Sequence, residues 1–314
     1  MPDELPRPRP PRAAVCLLVL AGVNLMWAFQ FSGAKIATQR LGPVTVTLLP
    51  MLLATLLLIP WLLLVPGARR NPLGTPGAAR DFTLLALFGA IPAQVCLTLG
   101  VQHSLASNAS VLTLTIPVLT ALLANLLLHE RMTPLRWLSF AMAIAGVLLV
   151  SNIDWPGVAL FHSSYLLGNA LIFLSCIGSA FYNSFSKRVL ERFRPVEVLV
   201  YSYLVADTIL GGLMLWLEPP SWRELTGLGA SVWLSLAVIA IFSLCVSMAL
   251  YFWVIQHIDV TQASLAIYLL PVFGVIISAA TLHEKITVQL MVGGALVFVS
   301  TYLVTIFEER RKMG

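Results

Sequence analysis

The chain has 314 residues, of which 59% are hydrophobic and only 11% charged, with a formal net charge of +5. A soluble domain carries about 25% charged residues, so this composition, with a mean hydropathy of +0.90, excludes a water-soluble globular enzyme and leaves no room for a separate soluble domain. A helix needs roughly 20 apolar residues to cross a bilayer, and such stretches predict an all-α integral membrane protein of ten transmembrane helices.

Residues 1–13 read as a disordered cytoplasmic leader, rich in Pro and Arg. The apolar run after it is too long for the h-region of a cleaved signal, so a retained first helix is expected. The predicted spans are 14–34, 44–66, 82–103, 108–128 and 134–151, then 165–186, 196–217, 231–256, 261–282 and 286–307, with a linker at 152–164 and a cytoplasmic tail at 308–314. Asn24, Trp27 and Gln30 share one side of the first span, and Lys35 ends it. Gln94 follows in the third span, Thr115 and Pro117 in the fourth, and Glu130 in the turn after it. The sixth span holds Tyr182 and Asn183 and is followed by Lys187. Asp207 sits at the centre of the seventh, Tyr251 in the eighth, Tyr268 and Pro271 in the ninth, and Glu284 in the turn beyond.

With the N-terminus inside, 15 of the 19 Lys and Arg residues fall on cytoplasmic segments and 4 (Lys35, Arg40, Arg223, Lys285) outside. Cytoplasmic loops carry this excess, so both termini are expected in the cytoplasm, with the chain in the cell (inner) membrane. The basic residues are dispersed and need no nucleic-acid partner. The four cysteines lie inside apolar runs, away from metal-ligand spacing, and read as packing residues.

The heptad "LLHERMT" at Leu127 returns as "TLHEKIT" at Thr281, 154 residues on. The same offset pairs Gln102-His103 with Gln256-His257, Ala109-Ser110 with Ala263-Ser264, and Pro117-Val118 with Pro271-Val272. At an offset of 152, "AFQFSGAK" from Ala28 matches "AFYNSFSK" from Ala180, and Pro43 matches Pro195. A five-helix unit, 14–151, is therefore duplicated at 165–307. Because five is odd, the copies must run in opposite senses, and inverted repeats of this kind hold a substrate between them in transporters.

These paired blocks resemble the drug/metabolite transporter superfamily, in its EamA-type ten-helix members. The resemblance implies secondary transport of small organic metabolites, most often export of amino acids or related compounds. The family often has Gly before the turn glutamate; here His129 and His283 stand there. It also implies that the first helix lines the path, which favours Asn24 and Trp27.

Individual residues leave alternatives open. Inverted topology puts Lys35 on the side of Glu284 and Lys187 on the side of Glu130. Each pair would be a latch across the halves, or each Glu satisfies a nearby backbone end or basic neighbour. Pro117 and Pro271 bend their helices around a cavity or only improve packing. A charge at the bilayer centre costs about 2.5–3.5 kcal/mol. Asp207 therefore takes up a proton or binds a substrate ammonium, or else rests protonated against a neighbour; its counterpart is Thr55. The polar and aromatic set Asn24, Trp27, Gln30, Gln94, Thr115, Tyr182, Asn183, Tyr251 and Tyr268 suits a small-molecule site, and equally interfacial anchoring or bonding between helices.

No HExxH helix and no nucleotide-binding loop is present, so no metal, cofactor or ATP engine is expected. Energy would come from a proton gradient or the substrate's own gradient. The partners expected are a small-molecule substrate and the lipid bilayer, and nothing demands more than a monomer. The competing readings are an intramembrane enzyme, which would need a catalytic cluster within the spans, and a non-transporting receptor or assembly factor.

Overall fold

The computed structural model describes residues 13–64, 74–128, 134–150, 165–219, 225–256 and 267–313; apart from short turns these are helical, with no strand among them. The rods are α1 (Ala13–Ala37), α2 (Pro43–Leu64), α3 (Ala78–Gln102), α4 (106–128), α5 (Pro134–Val150), α6 (Leu166–Leu190), α7 (Pro195–Leu217), α8 (Ala230–Ile255), α9 (Leu269–Leu282) and α10 (Val288–Met313). A helix satisfies its own backbone, which is what lipid demands. Six of the rods (α1, α2, α3, α6, α7, α8) are long and apolar enough to cross a membrane; the apolar parts of the other four are shorter. Exposed Leu18, Leu56, Leu215, Trp216, Leu234 and Met291 put apolar surface on the outside of the bundle.

Sequence-based bounds and observed helices differ mainly late in the chain. The ninth span was expected from 261, but the described helix starts at Leu269, so Pro271 lies in its first turn rather than mid-helix. There its missing N–H costs nothing. α10 continues as helix to Met313 through the expected tail. In α4, by contrast, a 3-10 turn at Thr113–Thr115 ends two residues before Pro117, where the ring would otherwise clash with the preceding turn.

Helix pairing follows an exchange of the two halves. α2 packs on α7, α5 on α10 and α4 on α9; α3 on α6 is mirrored by α8 on α1. The α5–α10 seam is close because Gly146 and Gly293 face each other. A Cβ on either would come within 2.8 Å of the other's carbonyl oxygen. Small residues permit such approach where lipid gives helices no hydrophobic reason to associate. A π-helical stretch interrupts α3 at Leu85–Ala90 and α8 at Ile239–Val246, with starts 154 residues apart, the offset of the sequence repeat.

The hydrogen bonds between rods fix which ends meet. One end gathers the C-terminal ends of α1, α3, α5, α7 and α9 with the N-terminal ends of α2, α4 and α6. At the other end the N-terminus of α3 meets the turn between α6 and α7. α1 therefore finishes where α6 begins, and the two run oppositely.

Candidate functional site

The expected site residues fall into separate groups. Midway along α7, Asp207 is 7% exposed, and the Thr55 hydroxyl of α2 donates to its Oδ2 at 2.6 Å. Thr55 and Asp207 occupy equivalent positions 152 residues apart, so this bond joins a residue to its own repeat counterpart. The Thr55 hydroxyl has one proton and a second acceptor in reach, the Met51 carbonyl at 2.9 Å. A protonated Asp207 would donate to Thr55, which would then donate to Met51; an ionised Asp207 would take the Thr55 proton. Both protonation states thus have a hydrogen-bonded form. Oδ1 of Asp207 is buried and has no partner, which is a costly arrangement unless something else comes to it.

Aromatic rings connect α1, α8 and α6 in series. Trp27 lies 5.2 Å from Tyr251, Tyr251 6.2 Å from Phe252, and Phe252 stacks at 6.2 Å on Tyr182. The Tyr182 hydroxyl reaches Ser202 at 3.1 Å. One residue on, Tyr203 donates to the Leu244 carbonyl inside the α8 π stretch at 3.2 Å, and Ser243 of that stretch donates to the Met26 carbonyl of α1 at 2.8 Å. A π-helical stretch disturbs the i→i−4 ladder and often marks a functional position; here side chains from α7 and α8 bind the chain around it.

Gln30 and Gln94 pair at 2.5 Å between α1 and α3. Asn24 is buried beside the ring series; its amide donates to Leu20 at 2.7 Å and its oxygen is unpartnered. Thr115 is buried and donates to Leu112 within the 3-10 turn, so its hydroxyl serves its own helix. Tyr268 packs with its ring tilted by 51° at 4.7 Å from Phe298 of α10. Asn183 is half-buried on α6, where its carbonyl accepts from Ser186.

The expected gate residues behave differently from one another. Lys35 donates to the carbonyls of Val101, Gln102 and Ser104 at 2.7, 3.2 and 2.6 Å, finishing α3. Glu284 accepts from the Ala106 and Ser107 amides at 2.8 and 2.9 Å and from the Ser107 hydroxyl at 2.6 Å, starting α4. The two side chains thus grip the carbonyl and amide sides of one corner. Each bonds backbone there, while the Glu284 charge still acts on the ammonium. Glu284 satisfies a helix end, and that end belongs to the other half. His283, just before it, has φ 55°, the left-handed region. The residue ending a helix in this way is usually Gly, so His283 stands where glycine is favoured. Lys187 lies exposed at the end of α6; His129 and Glu130 are outside the described residues.

The EamA-like transporter family matches this chain twice, over residues 13–152 and again over 166–306. The chain belongs to that family. An uncharacterized transporter of Archaeoglobus fulgidus is 24% identical over 288 residues, covering 91% of this chain and 97% of the relative. The uncharacterized transporter YoaV of Bacillus subtilis is 20% identical over 297 residues, covering 95% and 99%. A probable terminal-alkyne amino-acid exporter of Streptantibioticus cattleyicolor is 26% identical over 305 residues, covering 96% and 95%. A protein of known crystal structure superposes with a TM-score of 0.62 at 17% identity, covering 95% of this chain and 98% of that one; it shares the fold.

Sequence reading of this EamA-like transporter missed several residues. Glu218, after α7, accepts from the Val44 and Thr45 amides at 3.0 and 2.8 Å and from the Thr45 hydroxyl at 2.9 Å. Arg192 donates to Asp81 at 3.0 Å and to the Pro76 carbonyl at 2.6 Å. Asp81 stands immediately before an apolar run, which was a usable signal, and the structure leaves it 5% exposed. Glu218 had none, because its partner is 173 residues away in the chain.

Proposed function

We propose that this EamA-like transporter is a secondary transporter that exports small organic metabolites, amino acids or related compounds, by alternating access. Ten transmembrane helices form two inverted five-helix repeats, 14–151 and 165–307, in the inner membrane with both termini cytoplasmic. The substrate lies between the halves, near Asp207 and the Trp27–Tyr251 rings, and the Asp207 carboxyl takes up a proton or holds a substrate ammonium during the cycle. The observation that carries this reading is the bond from Thr55 to Asp207, which puts an ionisable, half-satisfied group where the two halves meet. A buried acid in such a place faces a pathway more often than it merely packs. The amino-acid exporter among the relatives supports the substrate class.

Bacteria expressing the chain should resist toxic amino-acid analogues, and vesicles containing it should release the same compounds in a saturable way. Asp207→Asn should lower that flux and flatten its pH dependence. Equal sensitivity with and without the protein across the panel, together with no saturable efflux, would overturn the assignment. Cysteines at 130 and 284 should react from opposite faces of the membrane.

A further inference from the structure

The start of α2 and the start of α7 are equivalent positions that obtain their carboxylate differently. Pro43 and Pro195 open the two helices, and Thr45 corresponds to Glu197 at the same offset of 152. In α7, Glu197 is 2% exposed and folds back on its own helix start, accepting from the Arg194 amide at 2.6 Å. In α2 the place of Glu197 is taken by a threonine, and the carboxylate comes from Glu218 of the other half. Gly42 makes room for it. A Cβ there would sit 2.2 Å from the Glu218 carboxyl carbon, well inside contact distance, and the equivalent residue in the second half is Arg194.

We infer that Glu218, seated through Gly42 on the first amides of α2, is a positioning residue that holds the Lys35 end of the transporter shut and is released when that end opens. It acts beside Glu284, which holds α4 in the same way, so both second-half carboxylates grip helix starts of the first half. A carboxylate bonded to helix-start amides also gains from the helix dipole. Separating the halves at this end removes both carboxylates together. At the opposite end α7 caps itself, so parting the halves there leaves its helix start satisfied. This inference rests on the alternating-access reading above.

The test uses the full chain in proteoliposomes with the four native cysteines replaced by alanine. Two reporters are read with a membrane-impermeant maleimide. Thr98→Cys is buried near the Lys35 end; Ala249→Cys lines a cavity of about 560 Å³ at the Arg192 end. Glu218→Gln and Gly42→Ala should each speed labelling at position 98 about tenfold, the change given by a loss of roughly 1.4 kcal/mol from the closed form. Labelling at 249 should slow at the same time. The double variant should label no faster than Glu218→Gln alone, because both remove one contact. Unchanged labelling at 98 in Glu218→Gln overturns the inference even where Gly42→Ala fails to fold. A rise at both positions also overturns it, since a merely structural cap loosens the whole bundle. Glu284→Gln separates the two levels. If it shifts the reporters in opposite directions while Glu218→Gln does not, only the role of Glu218 falls; if neither variant shifts them, alternating access falls as well.

Discussion

The two ends of the bundle are built from equivalent pieces of a duplicated unit, yet among the described residues the start of α2 and the start of α7 are fastened in different ways. At the Lys35 end, helix termini are served in trans: Lys35 on the carbonyls that finish α3, Glu284 on the amides that start α4, and Glu218 on those that start α2. At the Arg192 end, α7 serves its own start through Glu197, and Arg192 bonds Asp81 and the Pro76 carbonyl beside the Phe82–Phe193 ring contact at 5.0 Å. A cavity lined by Trp61, Arg192, Glu197, Ala249 and Trp253 opens there. Duplication supplies matching helices; a few side chains decide whether a helix start is served by its own helix, as in α7, or by the other half, as in α2.

That contrast can be broken at either end. The largest effect is expected from Glu284→Ala, which leaves two amides and the Ser107 hydroxyl without an acceptor. The loss should be about 2–3 kcal/mol, seen as a lower unfolding midpoint of the purified protein. Arg192→Ala should cost less, about 1–2 kcal/mol, because Arg192 is itself 42% exposed and Arg80 still lies 3.7 Å from the buried Asp81. A loss at Arg192 equal to or greater than that at Glu284 would show the two ends to be fastened alike. The smallest change sharpens the comparison from the other direction. His283→Gly should stabilise the protein by up to about 1 kcal/mol, since glycine adopts φ 55° without the steric cost that histidine bears. The same assay reads it, as a raised midpoint.

Much of the architecture was legible in the residues because lipid imposes a simple rule on them: apolar runs of sufficient length become helices. The offset of 154 located equivalent positions well enough that the two π-helical stretches begin at that spacing. Asp207 stood out for the same reason, as an acid in an apolar span, and it is buried midway along α7. Less legible was anything that depended on a partner in the other half. For Lys35 and Glu284 the sequence left open a latch across the halves or a glutamate satisfying a nearby backbone end, and each side chain bonds backbone at one shared corner. Pro271 was expected mid-helix and lies in the first turn of the described helix, since apolarity alone does not mark where a helix starts. Tyr268 had the chemistry of the site but packs on Phe298 of α10.

Sequence by itself determined the helical class, the duplicated unit and the buried acid, because each follows from local hydropathy or from a spacing along one chain. Only the tertiary structure decided that Thr55 meets Asp207, that Tyr203 binds the α8 π stretch and that Glu218 starts α2 across Gly42. Those contacts join residues 41 to 174 positions apart, and hydrogen bonds of that reach are fixed by how the helices pack, which no local pattern encodes.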